Sequence, residues 1–183
     1  SSEQKKNIPV DVREKIEQLG VRKFKQRVNG GTEDIAAVYA YRGNKQNISR
    51  GKVCEYYNWD PTKKIIGIFP SCWSDYPHVM GMESFTSFYD FIKGVYDRAE
   101  LKPKYNWLFK AHPCEAWYGG AKLDDLFDFQ KSSHVRSSLT NWSGKNILEV
   151  VDSVVTYHGT IGVEAAVMGK PVQTPERGWY GEA

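Results

Sequence analysis

Apolar positions change their period once along the chain, near residue 60, and the change separates two kinds of segment. Before it, Ile8, Val12, Ile16 and Leu19 recur at helical spacing with Gly20 directly after them, which predicts a surface helix stopping at Gly20. Lys and Arg run through 21–28, the mark of a solvated basic helix and linker. Asn29-Gly30-Gly31 then reads as a turn, 33–41 as a helix or short apolar segment, and 42–51 as a polar connector. After Asp60-Pro61, short apolar runs alternate with helical patterns. Residues 64–69, 106–111, 135–139, 153–157 and 172–174 read as strands, and 84–99, 123–129, 146–151 and 160–168 as helices, the last stopped by Gly169 and Pro171. Strands as continuously apolar as Ile65-Ile66-Gly67-Ile68-Phe69 belong to a parallel sheet covered on both faces. The predicted fold class is α/β, a parallel sheet spanning 60–183 with helices on both faces, behind a helical and irregular N-terminal segment of 1–59.

Composition narrows the picture. The chain has 183 residues, 40% hydrophobic and 26% charged, a globular balance rather than a disordered one. The net charge of +3 excludes a strongly basic nucleic-acid-binding surface as the dominant theme. The basic stretch at 21–28 is compatible with a weak contact to an anionic membrane surface, a solvated face being the simpler reading. Apolar runs are too short to span a bilayer. Cys54, Cys72 and Cys114 have no metal or redox spacing, which, with no signal-peptide pattern at the start, fits a reducing cytoplasm. A start without Met and an end directly after a strand-and-loop pattern read as a piece of a longer protein.

In an open parallel sheet, ligands bind beyond the carboxyl ends of the strands, and the unusual residues of this chain fall there. The fourth predicted strand runs into His158-Gly159-Thr160 and a helix begins at once. Gly159 allows close approach to the backbone, Thr160 is placed to cap the helix, and the amides of the first turn form an anion site. Glu164, at the fourth position after Thr160, does not fit a capping box and is placed to accept from ribose hydroxyls. The second predicted strand ends in Lys110-Ala111-His112-Pro113: a cation, an imidazole able to donate to phosphate or protonate a leaving group, and a proline that fixes the exit. Ser71, Ser74 and Asp75 after the first strand are candidate sugar or phosphate ligands, with Trp73 or Tyr76 to stack on a ring. Glu176 and Arg177 after the last strand are candidates for donor hydroxyls or phosphate. Glu115 reads as a helix-start acid, and Asp124, Asp125 and Asp128 as a solvated helix face. No phosphate-binding Gly-Lys-Ser/Thr loop, GxGxxG or nucleophile elbow occurs.

Phe109-Lys110-Ala111-His112-Pro113, with Val155-Thr156-Tyr157-His158-Gly159-Thr160-Ile161-Gly162-Val163-Glu164 through Val172 some forty residues later, resembles the bacterial capsule polysaccharide biosynthesis proteins, relatives of the GT-B glycosyltransferases. The resemblance covers roughly 60–180 and corresponds to the Rossmann-like, carboxyl-terminal, nucleotide-binding half of such an enzyme. It implies a nucleotide-sugar substrate, CMP-Kdo-like in preference to a UDP- or GDP-sugar, and a glycan or lipid-linked acceptor. Lys110, His112 and Pro113 would contact the nucleotide and its phosphate, His158, Gly159 and Thr160 the phosphate, and Glu164 the ribose. His112 is the one candidate catalytic residue. The resemblance implies no metal and no cofactor, and a cytoplasmic protein, peripheral at most at the inner face of the plasma membrane. It places the acceptor-binding domain and the catalytic base outside this chain, so that this piece alone would not transfer sugar. Two rivals fit the same residues: a non-catalytic module of capsule assembly or export, and a nucleotide-sugar epimerase or glycerophosphotransferase of similar fold.

Overall fold

The structure is a computed structural model that describes residues 8–29, 31, 38, 46–73, 84–117 and 119–176. Its centre is a five-stranded sheet of β1 (Ile65–Phe69), β2 (Asn106–Phe109), β3 (Val135–Ser137), β4 (Ser153–Thr156) and β5 (Val172–Gln173). The strands lie in the order β3-β2-β1-β4-β5, and every pairing is parallel. Each predicted strand is present: β1 starts one residue later than predicted, and the others end one or two residues earlier.

Alternate side chains divide the core in two. Ile65, Phe69, Leu108 and Val154 face one side, where α2 (Arg50–Tyr57), α5 (Gly144–Val150) and α6 (Ile161–Val167) supply Val53, Cys54, Ile147, Leu148 and Ala165. Ile68, Trp107, Phe109 and Val135 face the other, against Phe88, Phe91, Ile92 and Tyr96 of α3 (Phe88–Glu100) and Leu123 of the short α4 (Leu123–Leu126). Both faces are therefore covered, as the continuous apolar runs require. Gly67 sits where the end of α5 crosses the sheet. A Cβ there would lie 2.9 Å from Val151 Cγ1 and from Phe69 Cε2.

Local chemistry sets the helix ends. Ser49, Ser87 and Ser143 each accept a hydrogen bond from the amide three residues on and start α2, α3 and α5. Asn58, with φ of 53°, closes α2 in the left-handed conformation.

Two features stand out against the sequence expectations. The N-terminal helix α1 (Val10–Val28) does not stop at Gly20 but continues eight residues beyond it. One glycine in a helix interior costs only about 1 kcal/mol, and the good helix formers on either side carry the turn through. The polar connector hides a helix, α2, whose Val53 and Cys54, with Trp59 behind them, lie in the core, so the core reaches back before residue 60. The predicted segment at 33–41 lies, but for Val38, outside the described residues.

At the amino end of the sheet, Asp152 gathers one corner. Its Oδ2 accepts from the Ile65 amide at 2.8 Å and Arg50 Nη1 at 2.9 Å, and its Oδ1 from Lys64 Nζ at 3.0 Å. Arg50 also donates to the carbonyls of Val150 and Lys63. Burial pushes the Asp152 carboxyl up, but the Ile65 amide, Lys64 and Arg50 together outweigh it and hold the group below the usual aspartate range.

Candidate site at the carboxyl edge of the sheet

The strand order fixes where a ligand crevice can open. From β1 the chain winds through α3 on one face to β2 and onward to β3. It returns to the other side of β1 for β4, and the crossover from β4 to β5 uses α6 on the opposite face. The direction of winding reverses between β1 and β4, the position at which open α/β sheets receive ligands. Beneath the crevice, Thr156 Oγ1 donates to the Phe69 carbonyl at 2.9 Å and ties the two strand ends together.

The β4 loop is built on buried aromatic packing. Tyr157, 1% exposed, packs edge-on against Phe88 and Phe91 and lies with its ring centroid 4.7 Å from that of His158. The Nε2 of His158 is buried and has no hydrogen-bond partner among the described residues. Gly159 sits in tight internal packing, since a Cβ would lie 3.1 Å from Thr156 Oγ1 and 3.3 Å from Ile161 Cγ2.

Thr160 does not cap α6 as the sequence predicts. It has helical dihedrals, φ −54° and ψ −21°, which turn its side chain away from the amides it would cap. Its hydroxyl instead accepts from Arg27 Nη2 at 3.2 Å. Arg27 Nε in turn donates to Glu164 Oε1 at 2.7 Å, and the Glu164 side chain is only 4% exposed. A carboxylate so buried is stable only with a partner. Arg27, on α1, is the site residue that sequence reasoning missed. Its only sequence signature is one more cation in a basic stretch, indistinguishable from its solvated neighbours.

The β2 end lies two strand spacings from β4, about 10 Å, with β1 between. His112 is half-buried, and its Nδ1 accepts from the Cys114 amide at 3.2 Å, so the neutral ring carries its proton on Nε2. Pro113 is half-buried beside it. Lys110 Nζ donates to the Leu139 carbonyl at 3.2 Å, towards the loop after β3.

Glu115 does more than open a short turn. Its Oε1 accepts from Trp73 Nε1 and from the Leu123 amide, both at 2.8 Å, so it joins the β1 loop, the β2 loop and the start of α4. Trp73 is thereby engaged as a structural donor. Asp124, Asp125 and Asp128 are exposed at and after α4; Asp125 accepts from the Lys122 amide at 3.0 Å and Asp128 Oδ1 from the Gln130 amide at 2.9 Å. Ser71 is half-buried at the start of the β1 loop. Glu176 accepts from the Ser84 amide and joins the β5 loop to the segment ahead of α3. Ser74, Asp75, Tyr76 and Arg177 lie outside the described residues.

All of the described candidates thus leave the same edge of one sheet. Lys110, His112 and Pro113 follow β2, Ser71 follows β1, His158, Gly159, Thr160 and Glu164 follow β4, and Glu176 follows β5. A groove of about 870 Å³ runs along α1, lined by residues such as Glu17, Val21 and Lys25, and includes none of them. Among the described residues no group of three or more His, Cys, Asp and Glu is placed to hold a metal ion, and no helix is long and apolar enough to cross a membrane.

No family model and no curated protein matches the chain. Among solved structures it is similar to the KpsC beta Kdo 2,4 transferase of Thermosulfurimonas dismutans, with a TM-score of 0.55 and 15% identity over 84% of this chain and 43% of that one. It is also similar to the KpsC beta Kdo 2,7 transferase of the same organism, with a TM-score of 0.48 and 21% identity over 85% of this chain and 47% of the other. The chain spans less than half the length of either structure. At such identities the first likeness is one of fold, and it agrees with the Rossmann-like parallel sheet described above.

Proposed function

We propose that this chain is the donor-binding part of a glycosyltransferase that moves a sugar from a nucleotide donor to a capsule or surface polysaccharide acceptor. The observation that carries the reading is that the phosphate-competent residues leave the same edge of one parallel sheet. His112, His158, Gly159, Thr160 and Glu164 follow the ends of β2 and β4, on either side of the strand where the winding reverses. The likeness in fold to a structure described as a Kdo transferase supports it and favours a CMP-linked acidic sugar over a UDP- or GDP-sugar.

Each residue then has a defined role. The amides around Gly159, Thr160 and Ile161 receive the donor phosphate. His112, with its proton on Nε2, donates to the same phosphate and offsets the charge that develops as the glycosidic bond to it breaks. Lys110 adds positive charge at the β2 end. Glu164 accepts from ribose hydroxyls. Pro113 contacts the nucleotide, Ser71 the sugar or phosphate, and Glu176 the donor hydroxyls or phosphate. The acceptor site and the catalytic base belong, in this proposal, to a second domain facing the same crevice, and the enzyme works at the cytoplasmic face of the membrane, where nucleotide sugars and lipid-linked acceptors meet.

Calorimetric titration of the chain with CMP, UDP and GDP tests the reading. Saturable binding, tightest for CMP, is expected. Binding of none of the three would overturn the donor-site assignment and favour a non-catalytic assembly module.

A further inference from the structure

We infer that α1 is a membrane-surface helix whose partner is the headgroup layer of a bilayer rich in anionic phospholipid. The inference rests on the reading above only for its membrane setting, and deepens it by naming the face of the chain that meets the lipid.

The continuation of α1 through Gly20 carries the argument. In the sequence, the apolar repeat and the basic stretch look like two separate segments. The structure joins them in one helix of 19 residues, so a single face holds both. Val12, Ile16 and Leu19 fall at the spacing of one stripe. That stripe does not pack on the core: the three residues are 39%, 54% and 45% exposed. Val10 and Val21 are exposed as well, so α1 holds five of the eleven exposed large hydrophobic side chains among the described residues. Apolar surface concentrated on one element in this way marks a contact surface. The helix is not apolar enough to cross a bilayer and therefore lies along it.

Charge names the partner. At about 100° per residue, the half of the helix centred on the stripe also carries Lys15, Arg22 and Lys23, all exposed, and no acid. Arg27 lies in the same half and, through Glu164, ties the end of α1 to the sheet. Asp11, Glu14 and Glu17 fall on the other half. The exposed pair of Asp11 and Lys15, at 3.8 Å, yields readily to a surface of many anions. A second copy laid on this stripe would set cations against cations in either direction. An anionic headgroup layer meets them with opposite charge, while the aliphatic side chains enter the acyl boundary.

The test is co-sedimentation of the full chain with vesicles of phosphatidylcholine alone and of equimolar phosphatidylcholine and phosphatidylglycerol. Binding to the second and not to the first, weakened by added salt, is expected. Lys15→Gln, Arg22→Gln and Lys23→Gln together should weaken it about a hundredfold, about fivefold for each cation. Ile16→Gln with Leu19→Gln should weaken it about tenfold. Glu14→Gln with Glu17→Gln, on the other half, should not weaken it. Absence of wild-type binding to the anionic vesicles would overturn the inference, and so would undiminished binding by the triple variant. Self-association of the free chain that Ile16→Gln abolishes, without vesicle binding, would assign the stripe to a second copy instead. Should a multiple variant fail to fold, Lys23→Gln alone, with its loss of about fivefold, carries the same comparison. Titration with CMP in the absence of vesicles decides the donor-site reading separately, so either can fail without the other.

Discussion

Two arginine–carboxylate pairs stand at opposite edges of the same sheet. Arg50–Asp152 lies at the amino edge, and its groups also bind a strand amide, a lysine and two carbonyls, so that α2, β1 and the start of β4 share one network. Arg27–Glu164 lies at the carboxyl edge. Its carboxylate is far more buried, 4% exposed against 25%, yet its arginine comes from a helix that lies largely in solvent. The same chemistry thus serves two ends. Where both partners sit on elements already packed together, the pair reinforces the core. Where one partner is brought in from a peripheral helix, the pair docks that helix onto a strand-end turn.

The largest expected effect lies at the amino edge. Asp152→Ala orphans the Ile65 amide and the Arg50 guanidinium, and urea unfolding should show a loss of about 3 kcal/mol at unchanged m-value. A loss below about 1 kcal/mol would mean that the network contributes little. The pH dependence follows from the lowered carboxyl. Because the folded value lies below the unfolded one, about 3.9, the contribution is whole at neutral pH. It drains away as pH falls through the unfolded value towards the folded one. Unfolding curves from pH 6 to pH 2 should therefore converge for wild type and Asp152→Asn at the acid end.

Next comes Gly159→Ala at the carboxyl edge. Its Cβ would press on Thr156 Oγ1 and Ile161 Cγ2, and about 1–2 kcal/mol of destabilisation is expected by thermal unfolding. A neutral result would show that the turn can yield. Arg27→Met takes a cation from the buried Glu164 carboxylate, and a loss of about 1–2 kcal/mol is expected by the same measurement. Amide exchange along α1 should accelerate while exchange in β1 and β4 does not. A loss as large as that of Asp152→Ala would erase the distinction between the edges. Asp124→Asn, on the exposed face of α4, should stay within about 0.5 kcal/mol of wild type by the same urea measurement.

Much of the fold is legible because strands buried on both faces write themselves as short unbroken apolar runs, and Ile65–Phe69 and Asn106–Phe109 are of this kind. Helix α2 is hidden because its outward residues, Gly51, Lys52 and Glu55, look like a connector and few of its residues, Val53 and Cys54 foremost, face the core. Gly20 misleads for the opposite reason: a breaker by propensity, it is outweighed by its neighbours. Of the site, the residues at strand ends can be found by position along the chain. Thr160 falls where the sequence puts it but makes a different hydrogen bond, since its dihedrals depend on the turn through Gly159. Arg27 is out of reach, because nothing local records that α1 folds back onto residues 160–164. Contacts between segments so far apart are set by tertiary docking, which a single sequence does not spell out.

The three cysteines, each no more than 5% exposed and none in a disulfide, give the molecule internal clocks. Cys72 and Cys114 lie in the loops after β1 and β2, whereas Cys54 is sealed beneath the sheet, where burial pushes its thiol up. A thiol reagent added to the native protein will therefore time two separate events, the parting of the rim and the opening of the whole chain, and the interval between those two labelling rates measures how independently the crevice can breathe.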